Sequence, residues 1–135
     1  MPSSPAQTTA RALGVVFLVV ALAGFVPGLT TNLYDGLEFA GDDGSAELLG
    51  IFAVSVLHNL VHGLFGIAGL ALAASASGAR TYLLGGGAVY LALWLFGAVG
   101  GGEWIPVNRA DNLLHLGLGL GMTALGVVTA RRRAA

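Results

Sequence analysis

Four long apolar runs divide the sequence, and they constrain its fold more than any other feature. They occupy about residues 12–28, 55–76, 82–99 and 110–130. A helix needs about 17–25 apolar residues to cross the hydrocarbon core of a bilayer, so each run has a suitable length. Charged residues make up only 10% of the chain, against about 25% in soluble domains. We therefore predict an all-α membrane protein with four transmembrane helices in a bundle.

The polar segments outside these runs set the expected boundaries. Residues 1–10 are small and polar with two prolines, and we expect a flexible N-terminal tail. The four-helix transmembrane domain is predicted over 11–131 and a basic cytoplasmic tail over 131–135. A cleaved signal peptide is the alternative for the first run. No small-residue cleavage pattern follows that run closely, which favours a helix that is retained.

The second apolar run is preceded by residues that are also compatible with a helix. We predict an almost continuous helix from Ala46 to Ser77, longer than a bilayer requires. A tight turn is expected over 75–80, before the third span. The segment 29–47, between the first two spans, carries five acidic residues and no basic residue.

All six basic residues are arginines, and their distribution predicts an orientation. With four spans, Arg11, Arg80 and the three arginines at 131–133 fall on one side of the membrane. Only Arg109 falls on the other side. Because basic residues are enriched in cytoplasmic segments, both termini are predicted to be cytoplasmic, and the acidic segment is predicted to face outward.

The composition also excludes several kinds of chemistry. Without cysteine the chain has no disulfide, thiolate metal site or cysteine nucleophile, and without lysine it has no Schiff base. The sequence contains no Ser/His/Asp arrangement, paired carboxylates or nucleotide-binding loop, so we expect no catalytic residues and no enzyme. A net charge of −1 argues against nucleic acid. The expected partners are the lipid bilayer and either a second copy of the chain or another membrane protein.

Two similar polar motifs lie at the starts of the second and fourth runs. HNLVH covers His58–His62 and DNLLH covers Asp111–His115, with an offset of 53 residues. Both helices would cross the membrane in the same direction, so the match predicts a parallel 2+2 internal repeat. The two histidines that end the motifs would then lie at similar depth near the outer face.

Ionisable side chains inside a membrane are costly and require an explanation. Residues four apart share one face of a helix, so the two motifs can converge on one site. In one interpretation, His58, His62, His115 and Asp111 bind a metal ion such as Zn²⁺ or Cu²⁺. In another, His62 and His115 bind the iron of haem b between their helices.

A third interpretation needs no cofactor. Polar side chains at the ends of two helices can hydrogen-bond to each other and fix the helix register, with Asn59 and Asn112 on the flanks of the cluster. Asp111 in the first turn of the last helix also interacts favourably with the helix dipole. We prefer this structural interpretation, with a metal ion or haem b as the alternative.

Three strings of the sequence resemble a known family. They are HNLVHGLFGIAGLALA, ARTYLLGGGAVYLAL and PVNRADNLLHLGLGLGMTALG, and they resemble the DUF4383 family of small bacterial integral membrane proteins. The resemblance covers about residues 10–131. It implies a four-helix protein of the bacterial inner (cytoplasmic) membrane, and it supplies no catalytic residues. We therefore expect a small multi-pass membrane protein with a structural or accessory role.

Overall fold

A computed structural model describes residues 2–41, 43–100 and 106–131 of the chain. Its elements, in chain order, are α1 (Pro5–Ala23), β1 (Thr30–Thr31), α2 (Leu33–Gly36), β2 (Glu47–Leu48), β3 (Phe52–Ala53), α3 (Val56–Leu72), α4 (Ala76–Ala98) and α5 (Arg109–Arg131). Within these ranges α1, α4 and α5 are long and apolar enough to cross a membrane. Helix α3 is also apolar but shorter, with 17 residues. The fold is therefore mostly helical, and its apolar helices suggest a membrane protein.

Helix α1 begins earlier than the sequence predicted, and the expected flexible tail over 1–10 is wrong from Pro5 onward. The Ser4 hydroxyl accepts a hydrogen bond from the Gln7 N–H, and the Gln7 side chain accepts one from the Ser4 N–H. This reciprocal capping box stabilises a helix start, and Pro5 has the φ angle of a first helical residue. The Gln7 amide also donates to the Ala73 carbonyl at the end of α3. Met1 lies outside the described residues.

The residues before α3 form strands, so the predicted continuous helix from Ala46 to Ser77 is wrong at its start. Leu49 and Gly50 both have positive φ angles, of 55° and 67°. That conformation reverses the chain between β2 and β3 and is incompatible with a right-handed helix. Helix α3 starts only after Ser55, whose hydroxyl accepts a 3.1 Å hydrogen bond from the His58 N–H.

The predicted tight turn over 75–80 is also wrong, because α4 already begins at Ala76. The Ser75 hydroxyl accepts a hydrogen bond from the Gly78 N–H and caps the new helix. The connection between α3 and α4 therefore contains only residues 73–75. At the other end of the chain, the predicted basic tail over 131–135 lies outside the described residues except for the last residue of α5.

The long helices pack as two antiparallel pairs, α1 with α3 and α4 with α5, and the pairs meet through α1 and α4. Glycines allow the close approach within each pair. A Cβ atom at Gly14 would clash with the backbone of Gly66, and one at Gly87 would press on the backbone of Gly119. Small residues at such crossings are typical of packed membrane helices.

A small sheet covers one end of the helices. Strands β1, β2 and β3 pair in that order, both times antiparallel. Leu48 and Val54 are buried there and pack on Val20 of α1. We call this the sheet end: α1 and α4 end there, and α3 and α5 begin there. Arg11 and Arg80 lie near the starts of α1 and α4, toward the opposite end, which we call the arginine end.

Candidate functional site

Two histidines on the first turns of α3 contact each other directly. His58 and His62 lie four residues apart, so they project from one face of the helix. Their Nε2 atoms are 3.0 Å apart, and their rings are perpendicular to within 18°, at an interplanar angle of 72°. A hydrogen bond at this distance needs one donor and one acceptor, so at least one of the two rings is uncharged.

The third histidine reaches the same place from α5. The His115 ring centroid lies 6.3 Å from that of His58, and the His115 side chain is only 3% exposed. The structure therefore brings together the three histidines that the two motifs supplied. We call His58, His62 and His115 the histidine cluster.

Two aromatic rings from the other helices connect the cluster to the core. Phe17 of α1 lies 5.8 Å from His62, and Tyr90 of α4 lies 5.5 Å from His115, measured between ring centroids. Phe17 and Tyr90 also stack on each other at 5.6 Å. Neither aromatic was predicted from the sequence, because no motif or spacing relates them to the histidines.

Asp111 is buried close to the cluster, but its carboxylate is engaged elsewhere. Its Oδ2 atom accepts hydrogen bonds from the backbone N–H groups of Asn108 and Ala53, both at 3.0 Å. The Asn108 side chain accepts in return from the Asp111 N–H at 2.9 Å. Asp111 therefore caps the start of α5 and connects it to β3, which matches its predicted role at a helix N-terminus.

The two asparagines next to the cluster each abut a glycine of a neighbouring helix end. The Asn59 amide donates to the Gly24 carbonyl at 3.0 Å, and Asn59 is fully buried. Asn112 occupies the corresponding position on α5, where a Cβ atom at Gly97 would overlap its amide. Both asparagines thus lie between helices, on the flanks of the cluster.

Two pockets flank the histidine cluster, and all three histidines line both of them. The α3–α4 pocket has a volume of about 160 Å³ and is lined mainly by apolar residues of those two helices, including Val89 and Tyr90. The α1–α5 pocket has about 180 Å³ and includes Val16 and Phe17. The sequence could not predict these pockets, because each forms where a helix of one pair packs in space against a helix of the other pair.

The histidine cluster and Asp111 are the side chains from which the sequence predicted a metal site or a haem b site. No group of three or more His, Cys, Asp or Glu side chains within 2–41, 43–100 and 106–131 is arranged to hold a metal ion. A metal site at His58, His62, His115 and Asp111 stays a prediction. A haem b site at His62 and His115 also stays a prediction.

The fold and the site define an apolar helical protein with a buried histidine cluster at one end of its helices, which suggests a membrane protein. The family model described as "Domain of unknown function (DUF4383)" matches residues 7–128. The chain therefore belongs to this family, and the resemblance drawn from its motifs is confirmed. No curated protein and no solved structure matches the chain.

Proposed function

We propose that the chain spans the bacterial cytoplasmic membrane four times, with α3 as the fourth span and both termini in the cytoplasm. The 17 residues of α3 extend about 25 Å, close to the ~30 Å hydrocarbon core. Its polar start at Ser55 and His58 then lies near the interface. The arginine end faces the cytoplasm, and the sheet end, with exposed Asp35 and Glu38, faces outward.

The proposed domain over 11–131 is a parallel repeat of two helix pairs. Shifting α1 by 73 residues onto α4 superimposes Phe17 on Tyr90, and shifting α3 by 53 residues onto α5 superimposes His62 on His115. The contacts follow the same shifts: Phe17 lies beside His62, and Tyr90 lies beside His115.

The packing glycines follow the same two shifts, which supports the repeat independently. Gly14 against Gly66 corresponds to Gly87 against Gly119. At the sheet end, Gly24 against Asn59 corresponds to Gly97 against Asn112. Matching contacts at three depths are what two copies of one helix pair would produce.

The role that the geometry supports best is structural or accessory, with the polar cluster fixing how the two pairs fit together. The observation that carries this proposal is the engagement of the polar side chains between elements. Asn59 of α3 donates to the Gly24 carbonyl at the end of α1, and Asp111 of α5 accepts from the Ala53 N–H in β3. The bond between His58 and His62 lies within α3. Interhelical hydrogen bonds of this kind stabilise membrane bundles.

Purification of the protein with its His62→Ala and His115→Ala variants tests this role. We expect a colourless wild-type protein without stoichiometric metal, and variants with a lower free energy of unfolding or altered assembly. Elemental analysis without chelator, an absorption spectrum and a detergent unfolding curve provide the three measurements. Stoichiometric metal or a haem Soret band in the wild type would contradict the structural role.

Metal binding is the second candidate, favoured by one distance. Two imidazole nitrogens that share a tetrahedral Zn²⁺ at about 2.05 Å would be about 3.3 Å apart, and the Nε2 atoms of His58 and His62 are 3.0 Å apart. His115, with its ring centroid 6.3 Å from that of His58, would supply a third nitrogen only after a side-chain rotation, because the three rings as they stand are not arranged to hold a metal ion. Haem b fits less well, because each pocket, at about 160 and 180 Å³, is smaller than the ~300 Å³ of typical cofactor sites.

Zinc titration separates this candidate from the structural role. If the cluster binds metal, a competition assay with a zinc chelator gives one site per chain in the wild type. His62→Ala then weakens that site strongly. The exposed-surface variant Ser77→Ala has no neighbour in the cluster and is the matched control. No competition by the protein would exclude the metal site.

A further inference from the structure

We propose that the α3–α4 pocket and the α1–α5 pocket are two related binding sites for a lipid-soluble molecule with a six-membered carbon ring that carries an oxygen substituent. The ring occupies the pocket, and the oxygen hydrogen-bonds to the histidine cluster. This proposal goes beyond the structural role, because it assigns a ligand class to spaces that the structural role does not use.

The size of the pockets indicates a single ring. Their volumes are about 160 and 180 Å³. An apolar protein cavity of about 150 Å³ stays free of water and binds benzene. A single substituted ring therefore fits each pocket, whereas a fused ring system or a haem does not.

The walls of the pockets suit an aromatic or quinonoid ring. Phe65 and Tyr90 line the α3–α4 pocket, and Phe17 lines the α1–α5 pocket. These aromatics already contact one another at right angles or in a stack, with Phe65 and Tyr90 at 89°. Offset-stacked and edge-to-face contacts of this kind add stabilisation beyond simple burial.

The polar end of each pocket contains unused hydrogen-bonding capacity. His58 is 9% exposed and His115 is 3% exposed, and both line both pockets. The Nδ1 atom of each ring is buried and has no hydrogen-bond partner among the described residues. A buried polar atom without a partner is costly, so a small reorientation of either ring toward a ligand oxygen would recover that cost.

The outer rims of the pockets allow entry from the bilayer. Val16 is 54% exposed and Val89 is 50% exposed, and they line the α1–α5 and α3–α4 pockets respectively. Val61 and Leu114 are also exposed at the rims. These surfaces are apolar, so a ligand that partitions into lipid reaches the pockets without crossing water.

The two pockets correspond under the shifts that relate the helix pairs. Val16 corresponds to Val89, and Val61 corresponds to Leu114. Each residue of a pair lines one of the two pockets. The His58 position is occupied by Asp111 in the second pair, and the α1–α5 pocket also includes sheet residues such as Leu48 and Phe52. The helical walls therefore correspond, while the rest of the lining differs. The expected stoichiometry is therefore two ligands per chain.

Fluorine NMR of the full chain in detergent micelles tests the proposal with three probes: 4-fluorophenol, 4-fluoroanisole and fluorobenzene. Empty micelles give the partition background. We expect saturable binding of 4-fluorophenol or 4-fluoroanisole at two sites per chain. Fluorobenzene, which lacks the oxygen, should bind about five- to tenfold more weakly, the value of one hydrogen bond.

Pocket-filling variants locate the two sites. Val89→Phe and Val16→Phe should each remove one site, and the double variant should remove both. Val19→Phe on the exposed face of α1 is the matched control, because Val19 lines neither pocket, and it should keep two sites. Both valines are half exposed, so the larger side chain has room and folding is preserved.

Histidine variants test the polar contact. His115→Leu should reduce the preference for the oxygen-bearing probes over fluorobenzene, and the double variant His58→Leu/His115→Leu should abolish it while ring binding persists, because both rings line both pockets. If these variants do not fold, the valine variants decide. Non-saturable partitioning, a single site per chain, or binding that survives in the Val16→Phe/Val89→Phe double variant would each overturn the proposal.

Discussion

Phe17 and Tyr90 stack with ring centroids 5.6 Å apart and ring planes only 13° apart. They come from α1 and α4, and each ring also contacts the histidine of its own helix pair. The stacked rings therefore join the two helix pairs directly beside the histidine cluster. Two side chains that are 73 positions apart in the sequence thus occupy the centre of the core.

The stack of Phe17 on Tyr90 predicts that two substitutions of Tyr90 differ in their effect on stability. Tyr90→Ala removes a buried ring from the core and should lower the free energy of unfolding by about 3 kcal/mol. Tyr90→Phe keeps the ring and should change it by less than about 1 kcal/mol. Unfolding by titration with a denaturing detergent, followed by circular dichroism, measures both. Equal losses for the two variants would show that the hydroxyl, not the ring, matters.

Three consecutive glycines of α4, at positions 85–87, provide a test of helix packing with an internal control. A Cβ atom at Gly87 would clash with Thr123 and the backbone of α5, whereas one at Gly85 would meet nothing within 4 Å. Gly87→Ala should therefore destabilise the protein by about 1–3 kcal/mol through overpacking. Gly85→Ala should be neutral or stabilising by up to about 1 kcal/mol, since alanine favours the helix. The same unfolding assay compares them.

Equal changes in the free energy of unfolding for Gly87→Ala and Gly85→Ala would contradict this prediction. That result would mean that α4 and α5 do not approach each other closely at Gly87. Gly86→Ala offers a third point, because its Cβ would meet the flexible end of Met122 and the ring of Phe65 rather than backbone. Its effect should lie between the other two.

The Asp111 carboxylate accepts hydrogen bonds from the N–H groups of Ala53 and Asn108. We therefore expect it to stabilise both the sheet and the start of α5. Asp111→Ala removes the acceptor of two backbone N–H groups and should cost about 2–3 kcal/mol. Asp111→Asn keeps one acceptor oxygen and should lose less. Hydrogen exchange should become faster at the amides of Ala53 and Asn108 in Asp111→Ala. Unchanged exchange at Ala53 would contradict the connection.

The sequence predicted that the apolar runs are helical but not where each helix begins, because an apolar run of helix length needs no distant contact to be identified. The strands before α3 could not be predicted, because two-residue strands carry no periodicity and depend on pairing with distant residues. The helix start at Pro5 was missed although its capping residues, Ser4 and Gln7, were visible.

The residues of the candidate site also include some that the sequence predicted and some that it did not. His58, His62 and His115 were identified from two motifs, since histidines in apolar runs stand out locally. Phe17 and Tyr90 were not, because an aromatic residue in an apolar run has no local signal. Their position beside the histidines follows only from how α1 and α4 cross.

The proposed orientation can be tested with single cysteines, because the native chain contains none. Ala40 is exposed at the sheet end, and Ser77 is exposed at the start of α4, at the arginine end. With the sheet end outward, a membrane-impermeant maleimide should label Ala40→Cys in intact cells. It should label Ser77→Cys only after the membrane is permeabilised, because Arg80 and Arg11 retain that end in the cytoplasm. The reverse pattern would invert the orientation, and labelling of both sites from one side would exclude α3 as a complete span.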